Sequence, residues 1–130
     1  MYFAVINYTG TKSQLREALD WLKEDAAQSS AEWKVLCMHQ PSYYTNITGG
    51  NAEINEMVPG VLDELGIDFV FSGHDHSYAR TEPLKGGAVD EENGIVYFIC
   101  GSSGEKSYAV TDNPDFHFAV ATQEFNAVYL

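Results

Sequence analysis

The chain reads Trp33-Lys34-Val35-Leu36-Cys37-Met38-His39-Gln40-Pro41 at residues 33–41, a β-rich apolar run that ends in a histidine and a proline. Pro41 has no backbone N–H to give to a sheet, so the strand must stop before it and the chain must turn into a loop. Apolar runs at Tyr2–Tyr8 and Asp68–Ser72 also have the length and composition of strands. The sequence therefore predicts three strands, with His39 just past the end of the second.

Helical patterns fill both intervals between these strands. Thr11 and Gln14 have capping-box spacing, and the apolar residues that follow lie on one helical face, which predicts a helix to about Ala27. A second apolar face runs from Ile54 to Leu65 and stops at Gly66. Pro59 lies inside this pattern, so we expect it to kink the helix or to begin its second half.

The tail of the chain has a different pattern. Three further strands are predicted at Ile95–Cys100, Phe116–Thr122 and Phe125–Leu130, without helices between them. The order is thus βαβαβ followed by additional strands, which predicts an α/β fold with a largely parallel sheet and antiparallel additions at one edge. Residues 1–130 are predicted to form a single unit.

Charge and composition exclude several classes of function. The formal net charge is -12 and there are only seven lysines and arginines, too few for a surface that follows nucleic-acid phosphates. No apolar run is long enough to span a membrane. Cys37 and Cys100 do not have zinc-finger or redox spacing and are expected to be buried, inert thiols.

Histidines follow the ends of two strands that should be neighbours. His39 follows one strand, and His74 and His76 follow the other, after Gly73. Imidazole is the commonest protein ligand for first-row metals, and an extended HxH segment would direct both rings to one face. Taken alone, the pattern fits either a metal site or structural hydrogen-bonding groups. For His117, between two phenylalanines in a predicted strand, a structural role is the better interpretation.

Two motifs resemble those of a known family, the calcineurin-like metallophosphoesterases. Residues 35–41 are similar to its motif of an apolar strand ending in His-x-Pro, and residues 71–76 are similar to its final GHxH motif. The continuation Ser77-Tyr78-Ala79-Arg80-Thr81 resembles the purple acid phosphatase branch, in which Tyr-x-Arg-Thr follows the last motif. The resemblance covers most of the chain.

The resemblance implies a fold, a metal centre and a reaction. The fold would be the C-terminal half of a four-layer αββα sandwich. His39 and His74 would bind one metal ion and His76 a second, each being iron, zinc or manganese. The complete enzyme would hydrolyse phosphate esters, with phosphomonoesters preferred as substrates. The resemblance also makes an extracytoplasmic or secreted location an expectation, although the residues themselves do not decide the compartment.

The earlier motifs of this family, DxH, GDxxD and GNH, should precede the strand at Tyr2, and residues 1–73 do not contain them. Asp20, Asp25 and Asp63 lie on or beside predicted helices with the wrong neighbours to replace them. We therefore expect the segment alone to be inactive or nearly so, and no catalytic residue is assigned beyond the ligands. The alternative is a non-catalytic fragment that binds metal or associates with itself.

Other residues near the motifs could contact a substrate. The loop 42–53 contains no histidine that could assist acid catalysis, so its polar residues could only donate or accept hydrogen bonds: Tyr43, Tyr44, Asn46 and Asn51. Tyr78 and Arg80 are candidate substrate-binding residues, although packing of Tyr78 and an ion pair for Arg80 are the better interpretation. Half of a two-sheet sandwich should expose an apolar sheet face, which predicts a homodimer.

Overall fold

The structure is a computed structural model that describes residues 1–8, 10–48, 50–101, 106–111 and 113–123. The elements follow in the order β1 (Tyr2–Ile6), α1 (Lys12–Ala26), β2 (Lys34–Met38), α2 (Ala52–Leu65), β3 (Phe69–Ser72), β4 (Tyr78–Thr81), β5 (Leu84–Lys85), β6 (Ala88–Val89), β7 (Val96–Cys100), a 3-10 helix (Pro114–Phe116) and β8 (Phe118–Thr122). The predicted strand Phe125–Leu130 lies outside the described residues.

One six-stranded sheet organises the molecule, with its strands in the order β1-β2-β3-β7-β4-β8. The first four strands of this order pair in parallel, and β4 pairs antiparallel with both β7 and β8. β5 and β6 form a separate two-stranded hairpin. The predicted parallel sheet with antiparallel strands at one edge is therefore confirmed, although the positions of β4, β5 and β6 were not predicted.

Local signals define both helices. The capping box of α1 forms as predicted, because the Thr11 side chain accepts from the Gln14 N–H and the Gln14 side chain accepts from the Thr11 N–H. Asn51 caps α2, and Gly66 ends it in the left-handed conformation. α2 runs as one helix from Ala52 to Leu65 with Pro59 inside it.

The hydrophobic core lies between these helices and one face of the sheet. Leu15, Leu22 and Leu62 are fully buried against Leu36 and Val70 of the central strands. The hydroxyl of Tyr2 donates to Asp25 at 2.8 Å and so joins edge strand β1 to α1. Both helices lie on the same face of the sheet because the connections from β1 through α1 to β2 and from β2 through α2 to β3 run in the same direction along the sheet, and such connections are right-handed.

The opposite face of the sheet carries apolar side chains that are exposed to solvent. Phe3 and Val5 on β1 are 58% and 61% exposed, and the ring of Trp33 stacks at 5.9 Å on that of Phe69. Phe71 stacks on Phe98 with ring centroids 4.9 Å apart. Helices on one side of a sheet that is apolar on both sides form half of an αββα sandwich, so the predicted fold class is confirmed.

A homodimer through this open face remains a prediction. Because Phe3 and Val5 are more than half exposed, replacing both with lysine should disrupt self-association without disturbing the core. Light scattering at increasing concentration measures the effect. Val89→Lys on the small hairpin, where the side chain is 46% exposed, is the matched control. A wild-type chain that stays monomeric at high concentration contradicts the prediction.

Candidate metal centre

Two histidines meet at the carboxyl edge of the parallel strands. β2 and β3 are adjacent and parallel, so the loops that follow them leave the sheet side by side, and the Gly73 N–H donates to the His39 carbonyl at 3.0 Å. His39 Nε2 lies 3.2 Å from His74 Nδ1, with the two rings nearly perpendicular at 86°. The predicted convergence of these two side chains is therefore present.

This spacing suits a shared metal ion. Two nitrogens bound at about 2.0–2.1 Å to one ion, with an angle at the metal of roughly 90–110°, lie roughly 2.8–3.4 Å apart. The observed 3.2 Å falls inside that interval. The same distance also permits a hydrogen bond between the rings when one of them is neutral and donates.

His76 lies on the same segment but outside this pair. Its Nδ1 is buried without a hydrogen-bond partner, and its ring stacks on that of Tyr108 with centroids 4.8 Å apart and planes 22° apart. The Nζ of Lys106 lies 5.1 Å from the centre of the Tyr108 ring. Tyr108 also donates its backbone N–H to the His76 carbonyl at 3.3 Å. Tyr108 is a site residue that sequence patterns did not reveal.

The segment that carries both histidines is bent, which corrects the prediction of an extended HxH. His74 and His76 have left-handed backbones with φ of 68° and 49°, and Asp75 donates its N–H to the Gly73 carbonyl at 2.8 Å. An i to i+2 bond around a residue of positive φ forms a γ-turn that is rare and strained. Gly73 does not have a positive φ, so its backbone conformation does not require glycine. A Cβ at this position would lie at an ordinary contact distance from His39.

Asp75, between the two histidines, joins their turn to the loop that follows His39-x-Pro. Its side chain is fully buried, and its Oδ2 accepts from the Thr45 N–H at 2.6 Å, the Thr45 hydroxyl at 3.1 Å and the Asn46 N–H at 3.1 Å. Thr45 Oγ1 also lies 2.7 Å from the Ser77 hydroxyl. Sequence patterns did not indicate this role, because the bonds join residues 30 positions apart.

Aromatic packing holds the rest of that loop. Tyr43 is buried and makes edge-on contacts with Tyr97 and Phe116, and Tyr44 makes one with Phe116. Burial, with a smaller contribution from the Asp63 carboxylate, raises the pKa of Tyr43 to about 12. Its phenol therefore stays protonated near neutral pH and cannot serve as a base.

A small cavity of about 220 Å³ opens beside His39. It is lined by Tyr8, Gly10, His39, Gln40 and Asn51. The Asn51 side-chain amide donates to the Gln40 side-chain oxygen at 3.0 Å and lies 3.5 Å from the Tyr8 hydroxyl. The polar groups of Gln40, Asn51 and Tyr8 thus stand next to the paired histidines.

The other candidate residues differ in exposure and in hydrogen bonding. Tyr78 is only 3% exposed, which favours packing, whereas Arg80 is exposed on β4. Asp25 and Asp63 accept hydrogen bonds from Tyr2 and from the Gly86 N–H. His117 is exposed in a left-handed turn, and the strand after it begins beside Thr81, at the far end of β4 from His76.

The cysteines do not add ligands. Cys37 is half-buried and Cys100 is exposed, so the prediction of two buried thiols is wrong. Desolvation raises the pKa of both thiols, which keeps them protonated at neutral pH. Within the described ranges, no three histidine, cysteine or carboxylate side chains are grouped so as to hold one ion. These ranges also contain no helix long and apolar enough to cross a membrane.

Removing the aromatic ring that stacks on His76 tests the geometry of this site. Tyr108→Ala should free the His76 ring and cost about 0.5–1.5 kcal/mol of stability, the usual contribution of an aromatic pair. Proton NMR should show the ring resonances of His76 losing the ring-current shift that the tyrosine produces. Tyr108→Phe keeps the stack and is the control. Unchanged His76 resonances in the alanine variant contradict the geometry.

Comparison with known proteins agrees with this architecture. The family model of the calcineurin-like phosphoesterases matches residues 3–78, more than half of the chain. Purple acid phosphatase 15 of Arabidopsis thaliana is 30% identical over 105 residues, a match that covers 76% of this chain and 19% of that protein. An acid phosphatase of Aspergillus ficuum is 29% identical over 97 residues, covering 72% of this chain and 16% of that protein.

A solved structure shares the fold. The purple acid phosphatase PPD1 of yellow lupin superposes with a TM-score of 0.77 at 15% identity, covering 95% of this chain and 25% of that one. The chain spans about a fifth of the length of the curated relatives that it matches. It belongs to the calcineurin-like phosphoesterases, in the branch that resembles the purple acid phosphatases.

Proposed function

We propose that this chain supplies His39, His74 and His76 to the dinuclear metal centre of an enzyme that hydrolyses phosphomonoesters. The observation that carries the proposal is the 3.2 Å approach of His39 Nε2 to His74 Nδ1, which is the spacing of two ligands on one ion. The buried, unpaired Nδ1 of His76 supports a ligand role for that residue, because buried polar atoms without partners are rare in native proteins.

The pair and the third histidine would hold separate ions. His39 and His74 face each other, whereas the ring of His76 is held apart by its stack on Tyr108. Iron, zinc and manganese all accept imidazole nitrogen, so the donor set alone does not choose among them. When bound, two such ions supply positive charge for the phosphate oxygens and lower the pKa of an attacking water.

The polar residues that line the cavity beside His39, together with Arg80, would bind and orient the substrate. The cavity beside His39 offers the amides of Gln40 and Asn51 and the hydroxyl of Tyr8 as hydrogen-bonding groups. Arg80 is exposed and is a candidate for pairing with a phosphate oxygen, whereas burial limits Tyr78 to a supporting role. With a net charge of -12, the chain would repel an anionic ester unless bound cations offset that charge locally.

The segment by itself is proposed to be inactive, because three histidines do not complete the ligand sets of two ions and residues 1–73 contain no DxH, GDxxD or GNH motif. An alternative function, a module that binds metal or associates with itself without turnover, is favoured by the same incomplete ligand set. An extracytoplasmic or secreted location stays a prediction.

The proposal is tested by substituting His39 or His74 in the longest form of the protein that the cell makes. His39→Ala and His74→Gly should each reduce the amount of bound metal and the phosphatase activity. The reduction should exceed ~10–100-fold, which is typical of losing a residue that orients a ligand without binding the metal itself. Glycine is chosen for His74 because it accepts the φ of 68° without strain. Elemental analysis and hydrolysis of a chromogenic phosphomonoester with added zinc, iron or manganese are the measurements.

His117→Gly is the matched control, because His117 is exposed, also has a positive φ of 49° and lies away from the pair. Retained metal and activity in the His39 and His74 variants would sink the assignment. Metal that binds stoichiometrically through these histidines without any turnover would favour the non-catalytic module.

A further inference from the structure

The buried carboxylate of Asp75 has an unusual environment. Asp75 is fully buried, and the ion pairs among the described residues are surface pairs elsewhere, Lys12 with Glu56 and Lys23 with Glu64. Three donors from Thr45 and Asn46 converge on its Oδ2. Its Oδ1 is buried and has no hydrogen-bond partner.

An unpaired buried carboxylate oxygen needs an explanation, because such atoms are nearly always hydrogen-bonded in native proteins. Within the described ranges, four buried side-chain atoms lack a partner, and two of them, Asp75 Oδ1 and His76 Nδ1, belong to adjacent residues of one turn. The backbone on both sides of Asp75 is left-handed. The turn therefore brings the carboxylate inward between two histidines whose rings stay partly accessible.

We infer that Asp75 is a positioning residue for the histidine ligands, an inference that rests on the proposed metal function. Through Oδ2 it fixes residues 45 and 46, in the loop after His39-x-Pro, against the turn that carries His74 and His76. It thereby sets the two histidine-bearing loops relative to each other. Residues that orient metal ligands without binding the metal typically change metal affinity by ~10–100-fold when they are lost, and Asp75 would act through the backbone of the two loops, since its hydrogen bonds go to Thr45 and Asn46.

Residues 106–111 also contact the loop after His39-x-Pro and the turn that carries His74 and His76. Thr111 donates its N–H to the Thr45 carbonyl at 2.8 Å, and Tyr108 donates its N–H to the His76 carbonyl. Thr45 thus touches Asp75, Ser77 and Thr111 at once. A change at Asp75 should therefore reach the geometry of the ligands and not only the local loop.

Cobalt binding to the longest form of the protein tests this role. Asp75→Asn weakens the bonds from Thr45 and Asn46, because a neutral amide oxygen accepts less strongly than a carboxylate, and it replaces the second carboxylate oxygen with an NH2 group. It should raise the Co²⁺ dissociation constant by ~10–100-fold and change the visible absorption bands of the saturated protein. The band change matters because a residue that only stabilises the fold would leave the spectrum of the saturated site unaltered.

Two further variants make the outcome decisive. Asp90→Asn is the matched control, because Asp90 also accepts backbone N–H groups, from Glu92 and Asn93, but lies on an exposed turn. Thr45→Val removes one donor to Asp75 and should weaken Co²⁺ binding a few-fold in the same direction. It replaces Asp75→Asn as the deciding variant if that protein does not fold.

Each result has a distinct meaning. Wild-type affinity and spectrum in the folded Asp75→Asn variant, or in Thr45→Val where it replaces that variant, overturn the role of Asp75 and leave the metal proposal intact. A wild-type protein that binds no Co²⁺ overturns the metal centre, and with it the inference about Asp75.

Discussion

The parallel pairing of β2 with β3 is the constraint on which the rest of the site depends. Parallel neighbours end at the same edge of a sheet, so two loops separated by more than thirty residues leave the sheet side by side. The ladder continues one bond past the strands, from Gly73 to His39. That bond fixes the backbone beneath both imidazoles, and the 3.2 Å approach of their nitrogens is built on it. α1 and α2 stabilise this arrangement by packing their apolar side chains against one face of the paired strands.

Sequence reasoning reached the main architecture because its signals are local. A capping box, the glycine after α2 and runs of β-branched residues each determine structure within a few positions, and those in the described part of the chain formed as expected, except that the strand predicted from Phe116 begins at Phe118. The strands β4 to β6 were missed since they are short and mixed in composition, two of them with only two residues each. Pro59 lies inside α2, which continues through it with the loss of one backbone hydrogen bond.

For the candidate site, the sequence predicted that histidines meet at one sheet edge but not how they are held. Pairing of His39 with His74 followed from strand order, whereas the bend at residues 74–76 is invisible to a rule based on alternating side chains. The contacts of Asp75 with Thr45 and of Tyr108 with His76 join distant parts of the chain. Such contacts have no periodic signature, so only the folded structure reveals them.

The left-handed backbone at His74 and His76 has a consequence for how these positions can vary. A non-glycine residue with φ near 68° or 49° is strained by roughly 1–2 kcal/mol, and glycine or asparagine would relieve that strain. Histidine is thus a poor choice for folding at two positions in one turn. Stability and the proposed ligand role therefore favour different residues there, as in proteins that trade stability for function. A screen for thermal stability alone would tend to replace these histidines, whereas a screen for metal retention would keep them if the proposed metal centre is right.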